Sequence, residues 1–298
     1  MTTALKASGG RTDRTGGGTV PVIARTLLSP LGACGAGLLL LLLGIAGLGP
    51  WLWPYDHITQ HQSAVLVPPS GRHWLGTSRL GEDVLAQCIR GLQKSMVIGL
   101  LVAVLSTGLA AVVGLTAGYC GRWIDRALMW GVDMLLILPS FLIVAVLSPA
   151  LRERSWLYMV LVIAMFQWML TARIIRARAA SLRGREFVAA ARYMGAPTGW
   201  IIRTHVVPHL VPLLVIDCTL HVGAAVLSEA GLSYFGFGIQ TPDVSLGTLV
   251  AAGGGSALTY PWVFLAPVGL LVVTVTAVGL LGEALRRALD EGDTHGVR

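Results

Sequence analysis

The sequence predicts an all-α membrane protein with six transmembrane helices. Three observations lead there. Of 298 residues, 54% are hydrophobic and 12% charged, where a soluble domain carries about 25% charge. Mean hydropathy is +0.72. The charges also leave long gaps: none falls in 26–55, 95–121, 134–151, 155–172 or 244–282, and 204–228 holds only Asp217. A helix crossing the hydrocarbon core needs about 20 apolar residues.

Each gap, trimmed to that length, gives one element. Residues 1–30 carry Gly9-Gly10 and Gly16-Gly17-Gly18 among four basic residues, which predicts a disordered tail. The first helix is expected over 31–53. A secretory signal peptide has only about 7–15 apolar residues, whereas this run is longer and ends in Trp51, Trp53 and Tyr55, suited to a membrane interface. A segment outside the membrane, 54–94, follows. Further helices are expected over 96–120, 126–149, 156–175, 206–228 and 262–284, forming a five-helix core within 95–285. The stretch 246–257 is apolar but short and Gly-rich, and reads as a re-entrant or loop segment. Residues 286–298 form a second tail.

Basic residues orient the bundle. With the N-terminus inside, the inner segments hold four in the tail, Arg122 and Arg126, seven from Arg173 to Arg203, and three at the C-terminus, sixteen in all; six lie outside. The positive-inside rule therefore predicts both termini in the cytoplasm.

Composition excludes several chemistries. Cys34, Cys88, Cys120 and Cys218 are widely spaced, against a disulfide scaffold or zinc ribbon. A phosphate-binding loop ends in Gly-Lys-Ser/Thr, yet the only lysines, Lys6 and Lys94, follow Leu5 and Gln93. Any ATP chemistry must come from a partner. His205 and His209 share a helical face but lack a third metal ligand nearby. No Ser-His-Asp or Cys-His set is ordered for catalysis, so neither enzyme activity nor a cofactor is expected. The Arg-rich loop lacks the interleaved aromatics of a nucleic-acid module.

That loop, about 176–205, is the strongest local signal. Glu186 to Met194 is built of helix formers, with Ala189, Ala190 and Ala191 side by side. Gly195 stops the helix and Pro197 suits the first turn of the next. A short helix–turn–helix beneath the membrane is expected, with a small face that another protein can approach and a turn that a side chain at 195 would obstruct. Read alone, the loop is better explained as a basic juxtamembrane segment that binds anionic lipid or only sets topology.

The loop resembles the "EAA" loop of ABC importer permeases, with consensus E-A-A-x-x-x-G and, eleven residues on, an apolar pair and Pro. Gly195 and Val206-Val207-Pro208 have that spacing; the family glutamate falls on Ala189, and Glu186 lies one turn earlier. Three more stretches are similar to the C-type permease subunit of dipeptide/oligopeptide importers. They are His73 to Leu85, with Ser78 and Glu82 in place of the usual acid and base; Gly118 to Asp125 with Asp133 and Leu138-Pro139-Ser140; and Glu229 to Pro242. Together they cover 73 to about 290.

The resemblance implies a type I ABC importer permease fold in a bacterial cytoplasmic membrane. It implies a second permease subunit in a heterodimer, two ATP-binding subunits, an extracytoplasmic substrate-binding protein and peptide cargo. The ATPase-docking residues would be Glu186, Ala189, Ala190, Ala191, Gly195 and Pro208. Pore or gate candidates would be Asp133, Asp217, Glu229, Ser233, Phe235, Gly236 and Gly238, with Glu229 to Pro242 as a structured outer gate. Related permeases carry nickel chelates or glutathione, which remain alternatives.

Intramembrane ionisable groups are costly and often functional. Asp133, Gln167, Asp217, His221 and Glu229 lie in or beside spans. Asp217 and His221, four apart, share a helical face. They fit an interhelical hydrogen bond, a substrate contact, or the relay of a proton-coupled transporter. Arg126 or a loop arginine is the expected partner of Asp133.

Overall fold

The computed structural model describes residues 22–151, 155–240 and 242–295. Their regular structure is helical. In chain order come α1 (Val22–Leu28), α2 (Pro30–Leu52), α3 (Val84–Cys120), α4 (Arg122–Ile137) and α5 (Ser140–Leu151). After these come α6 (Leu157–Arg183), α7 (Glu186–Tyr193), α8 (Thr198–Ile201), α9 (Val207–Tyr234), α10 (Leu246–Gly254) and α11 (Pro261–His295). A π-helical turn, Ile202–Val206, joins α8 to α9, making 198–234 one continuous rod.

Among the described residues, α2, α3, α6, the 198–234 rod and α11 are each long and apolar enough to cross a membrane. The span expected over 126–149 is instead α4 plus α5, bent by 73°. Pro139 causes the break. Proline lacks an N–H and disfavours helical backbone in the residue before it, and Leu138 is extended (φ −73°, ψ 127°). Counted as one broken span, the pair completes the expected six.

Helix ends differ from the trimmed gaps because an apolar count does not register polar helical turns. The start of α3 is at Val84, where the buried Asp83 carboxylate accepts the Ala86 N–H at 2.8 Å and caps the helix. Its 37 residues would measure about 55 Å, well beyond a bilayer core. Residues 1–21 of the expected disordered tail lie outside the described residues. Val22–Leu28 of that tail is helical and packs on α11. The 246–257 segment contains α10, whose first turn is fixed by reciprocal Ser245 and Thr248 bonds.

At the centre, α3 touches α2, α4, α6, α9, α10 and α11. Its closest neighbour is α6. A Cβ on Gly114 would stand 2.6 Å from the Ala172 carbonyl oxygen, and one on Gly118 2.4 Å from that of Arg176. Only the missing side chains allow this approach, the small-xxx-small device of membrane helices. Apolar side chains such as Leu40, Leu43, Val104 and Val112 remain exposed around the bundle, as a lipid-facing surface requires.

Candidate functional site

Three groups of candidate residues occupy three levels of the bundle. The first is the arm formed by α7 and α8. Val188 and Ala191 are buried, together with Ile201 and Val206, in a core shared with α3, α6 and α9. Helix α7 ends where the Ala196 N–H donates to the Ala191 carbonyl at 3.1 Å, with Gly195 at φ +81°. A Cβ on Gly195 would have nothing within 4 Å. A side chain there is thus opposed by backbone conformation and not by obstruction.

The three alanines do not share one face, because successive helical residues diverge by about 100°. Ala191 faces the core, Ala189 is half-buried and Ala190 is exposed. Glu186 and Pro208 are also exposed. The free side of the arm is dominated by Tyr193, 93% exposed, and Met194, 80% exposed, with Trp200 and Phe187 beside them. Sequence reasoning missed Tyr193 and Met194, although two large side chains closing a short helix of otherwise mostly small residues were a readable signal. Phe187 stacks on His209 at 5.1 Å, and Trp200 meets His205 edge-on at 5.2 Å. Among the described residues, no group of three His, Cys, Asp or Glu could hold a metal ion.

The second group lies along α6, where it meets α4 on one side and α3 and α9 on the other. Asp133 pairs with Arg173 of α6, rather than with Arg126, and both stay about half exposed. One turn along α6, Arg176 clamps both carboxylate oxygens of Asp125 at 2.5 and 2.6 Å. Asp217 of α9 accepts from Thr171 of α6 at 2.8 Å and Thr107 of α3 at 3.2 Å. Its carboxylate also lies 3.0 Å from His221 Nδ1. His221 Nε2 lies 3.1 Å from the Gln167 backbone oxygen. Both ring nitrogens therefore face oxygen atoms of the bundle. Asp217 and His221 thus bond three helices together.

The third group surrounds Glu229, which has no exposed surface and lies inside α9. Its carboxylate accepts from Ser233 at 2.6 Å, Ser245 at 2.7 Å and Ser95 of α3 at 3.4 Å. Ser95 in turn accepts the Leu246 N–H at 3.1 Å. This joins α3, α9 and the start of α10. Neither Ser95 nor Ser245 was visible as a partner in sequence, being 134 and 16 residues away. Beyond it, the turn after α9 is closed by Gly236 (φ +80°), with the Phe237 N–H donating to the Leu232 carbonyl at 2.8 Å. Gly238 folds back so closely that a Cβ would lie 1.8 Å from Ser233 Oγ. Phe235, 63% exposed, meets Phe141 of α5 edge-on at 5.4 Å. Within the resembling stretch 73–85, Ser78 Oγ donates to Glu82 at 2.9 Å, so the residues standing for the usual acid and base remain bonded.

Chemically, the arrangement offers a firmly seated arm, a wall with an exposed ion pair, and a closed polar node at the end away from the arm. Comparison with known proteins agrees in kind. The sequence model of the family described as "Binding-protein-dependent transport system inner membrane component" matches residues 110–292. The chain is 51% identical over 256 residues to the oligopeptide transport system permease protein OppC of Mycobacterium tuberculosis, covering 86% of this chain and 88% of that one. It is 31% identical over 260 residues to OppC of Bacillus subtilis, covering 87% and 85%. The fold resembles a chain of the inward-facing MetNI methionine ABC transporter, with TM-score 0.56, 18% identity, and coverage of 68% of this chain and 96% of that chain.

Proposed function

The chain belongs to the family of binding-protein-dependent transport system inner membrane components, and from that membership we propose that it is the permease subunit of an ATP-driven importer of dipeptides and oligopeptides. It is a transport subunit, not an enzyme. In this reading it forms half of the translocation pore beside a second, non-identical permease subunit. Two ATP-binding subunits seat on the arm, and an extracytoplasmic binding protein delivers peptide to the opposite end. Both termini and the arm lie in the cytoplasm, with 54–94, 150–155 and 229–261 outside. Residues 95–285 form the permease core.

The observation that carries the reading is the arm. An amphipathic segment stands on the apolar bundle with Tyr193 and Met194 largely exposed, while Val188 and Ala191 lock its other side to α3, α6 and α9. A large exposed aromatic beside a flexible thioether suits a protein groove better than anionic lipid headgroups. Because the arm is packed and not tethered loosely, displacement of a seated partner moves it as a rigid body. The Asp217 bonds carry that displacement into α3 and α6. The cargo class is that of the relatives.

The test is reconstitution of the chain with its companion permease, ATP-binding subunits and binding protein in vesicles. ATP-dependent accumulation of a labelled oligopeptide is expected. Accumulation of a nickel chelate or glutathione instead would overturn the cargo assignment. Uptake driven by a proton gradient without ATP would overturn the transporter class.

A further inference from the structure

A cavity of about 230 Å³ opens between α5, α6 and α9, lined by Ser140, Phe141, Phe166, Gln167, Ser228 and Leu232 among others. None of its lining residues is ionisable. Gln167 Nε2 donates to Ser228 Oγ at 3.3 Å, joining α6 to α9. Gln167 Oε1 is buried and has no partner among the described residues. Turning the amide over does not remove the difficulty: Ser228 engages one arm of the amide, and the other arm is left over. Buried amides in ordinary structural roles have their partners.

The cavity's place on the wall matters. Gln167 lies six residues before Arg173 on α6, about 9 Å at helical rise. The Arg173–Asp133 pair is about half exposed, and an ion pair exposed within a membrane bundle faces water or protein in preference to lipid. At the cavity's other rim, Phe141 meets the exposed Phe235. The leftover amide arm therefore lies beside the cavity, one rim of which carries the Phe141–Phe235 pair.

We propose that the Gln167 amide and Ser228 hydroxyl form a contact for the peptide backbone of the cargo. The inference rests on the peptide-importer reading and adds the chemistry that this subunit recognises. In an extended chain, one residue's N–H and C=O point to the same edge, the pairing that antiparallel strands exchange. A side-chain amide offers the complementary acceptor and donor. The neutral, partly aromatic lining ignores side-chain charge, so one site serves peptides of varied sequence. A chelate or other cargo without such an edge gains nothing from it.

The experiment uses the full complex in vesicles, with binding protein saturated by labelled tri-alanine or by its fully N-methylated form. Each variant is compared with wild type for each peptide, which cancels the binding protein's own preference. Gln167→Leu should cut tri-alanine uptake per ATP hydrolysed about fivefold, the size of one neutral hydrogen bond. It should change uptake of the N-methylated peptide far less. Ser228→Ala should act in the same direction and carries the test if Gln167→Leu fails to reach the membrane. Wild-type uptake of tri-alanine by both variants, or equal loss for both peptides, would overturn the proposal, the latter marking Gln167 as structural or water-bound. Wild-type complex that imports neither peptide overturns the importer reading itself, and is seen before any variant is compared.

Discussion

Single residues here act through backbone conformation and buried polar bonds more than through reactive chemistry. Glu229 is the clearest case. Its carboxylate receives three serine hydroxyls with no surface exposed, so it works as a bolt between helices. We expect Glu229→Ala to destabilise the protein by about 1–3 kcal/mol, the cost of buried hydroxyls left without acceptors. Glu229→Gln, which keeps one acceptor, should lose less. Thermal unfolding in detergent measures both, and uptake should fall only as folded protein falls. Lost uptake at unchanged melting temperature would return Glu229 to a direct cargo role. Gly195 is governed by φ +81° with open space around it. Gly195→Val should strain the turn by roughly 1 kcal/mol or more and uncouple uptake, whereas Gly195→Asn, tolerant of that region, should retain most of it. Comparing ATP-dependent uptake at matched membrane levels decides this. If both variants behave alike, the conformational account fails.

At the scale of elements, the arm makes the sharpest expectation. Ala190 is exposed and Ala191 buried. Cysteine at 190 should therefore cross-link to an ATP-binding subunit and cysteine at 191 should not, read by gel shift of the assembled complex. Tyr193→Ala should weaken docking without altering membrane insertion, since its side chain is 93% exposed. Cross-linking from both positions would mean that α7 leaves its core when docked. The start and stop of this arm were legible because Glu186, Gly195 and Pro197 are local signals. Which alanine faces outward was not, because that depends on where α3, α6 and α9 lie. The bend at Pro139 was readable in principle, but a hydropathy window passes over a single proline in an apolar run.

For the whole molecule, charge-free gaps found the spans because lipid imposes a minimum apolar length whatever the packing. The interhelical nodes were not legible: Asp217 with Thr107 and Thr171, and Glu229 with Ser95, join residues 46 to 134 apart. Hydroxyls are common in membrane helices, and nothing local marks those that meet a carboxylate. Orientation is the prediction at this scale. Reporter fusions at Gly71 and after the C-terminus should report opposite sides of the membrane, the latter cytoplasmic. Equal sidedness would require an even number of crossings between the two sites, not five, and break the six-span reading of α4 with α5.

The close contact of Gly114 and Gly118 with Ala172 and Arg176 also bears on biogenesis. Helix α3 emerges from the ribosome well before α6, with the bent α4–α5 pair between them. Until α6 is inserted, the shallow glycine face of α3 has only lipid or the insertion machinery against it. A bilayer gives no hydrophobic push to bring the two together, so closure waits on the shape match itself. The chain thus stays unfinished until its middle third is made, and a product truncated before residue 157 would leave that seam open to membrane quality control.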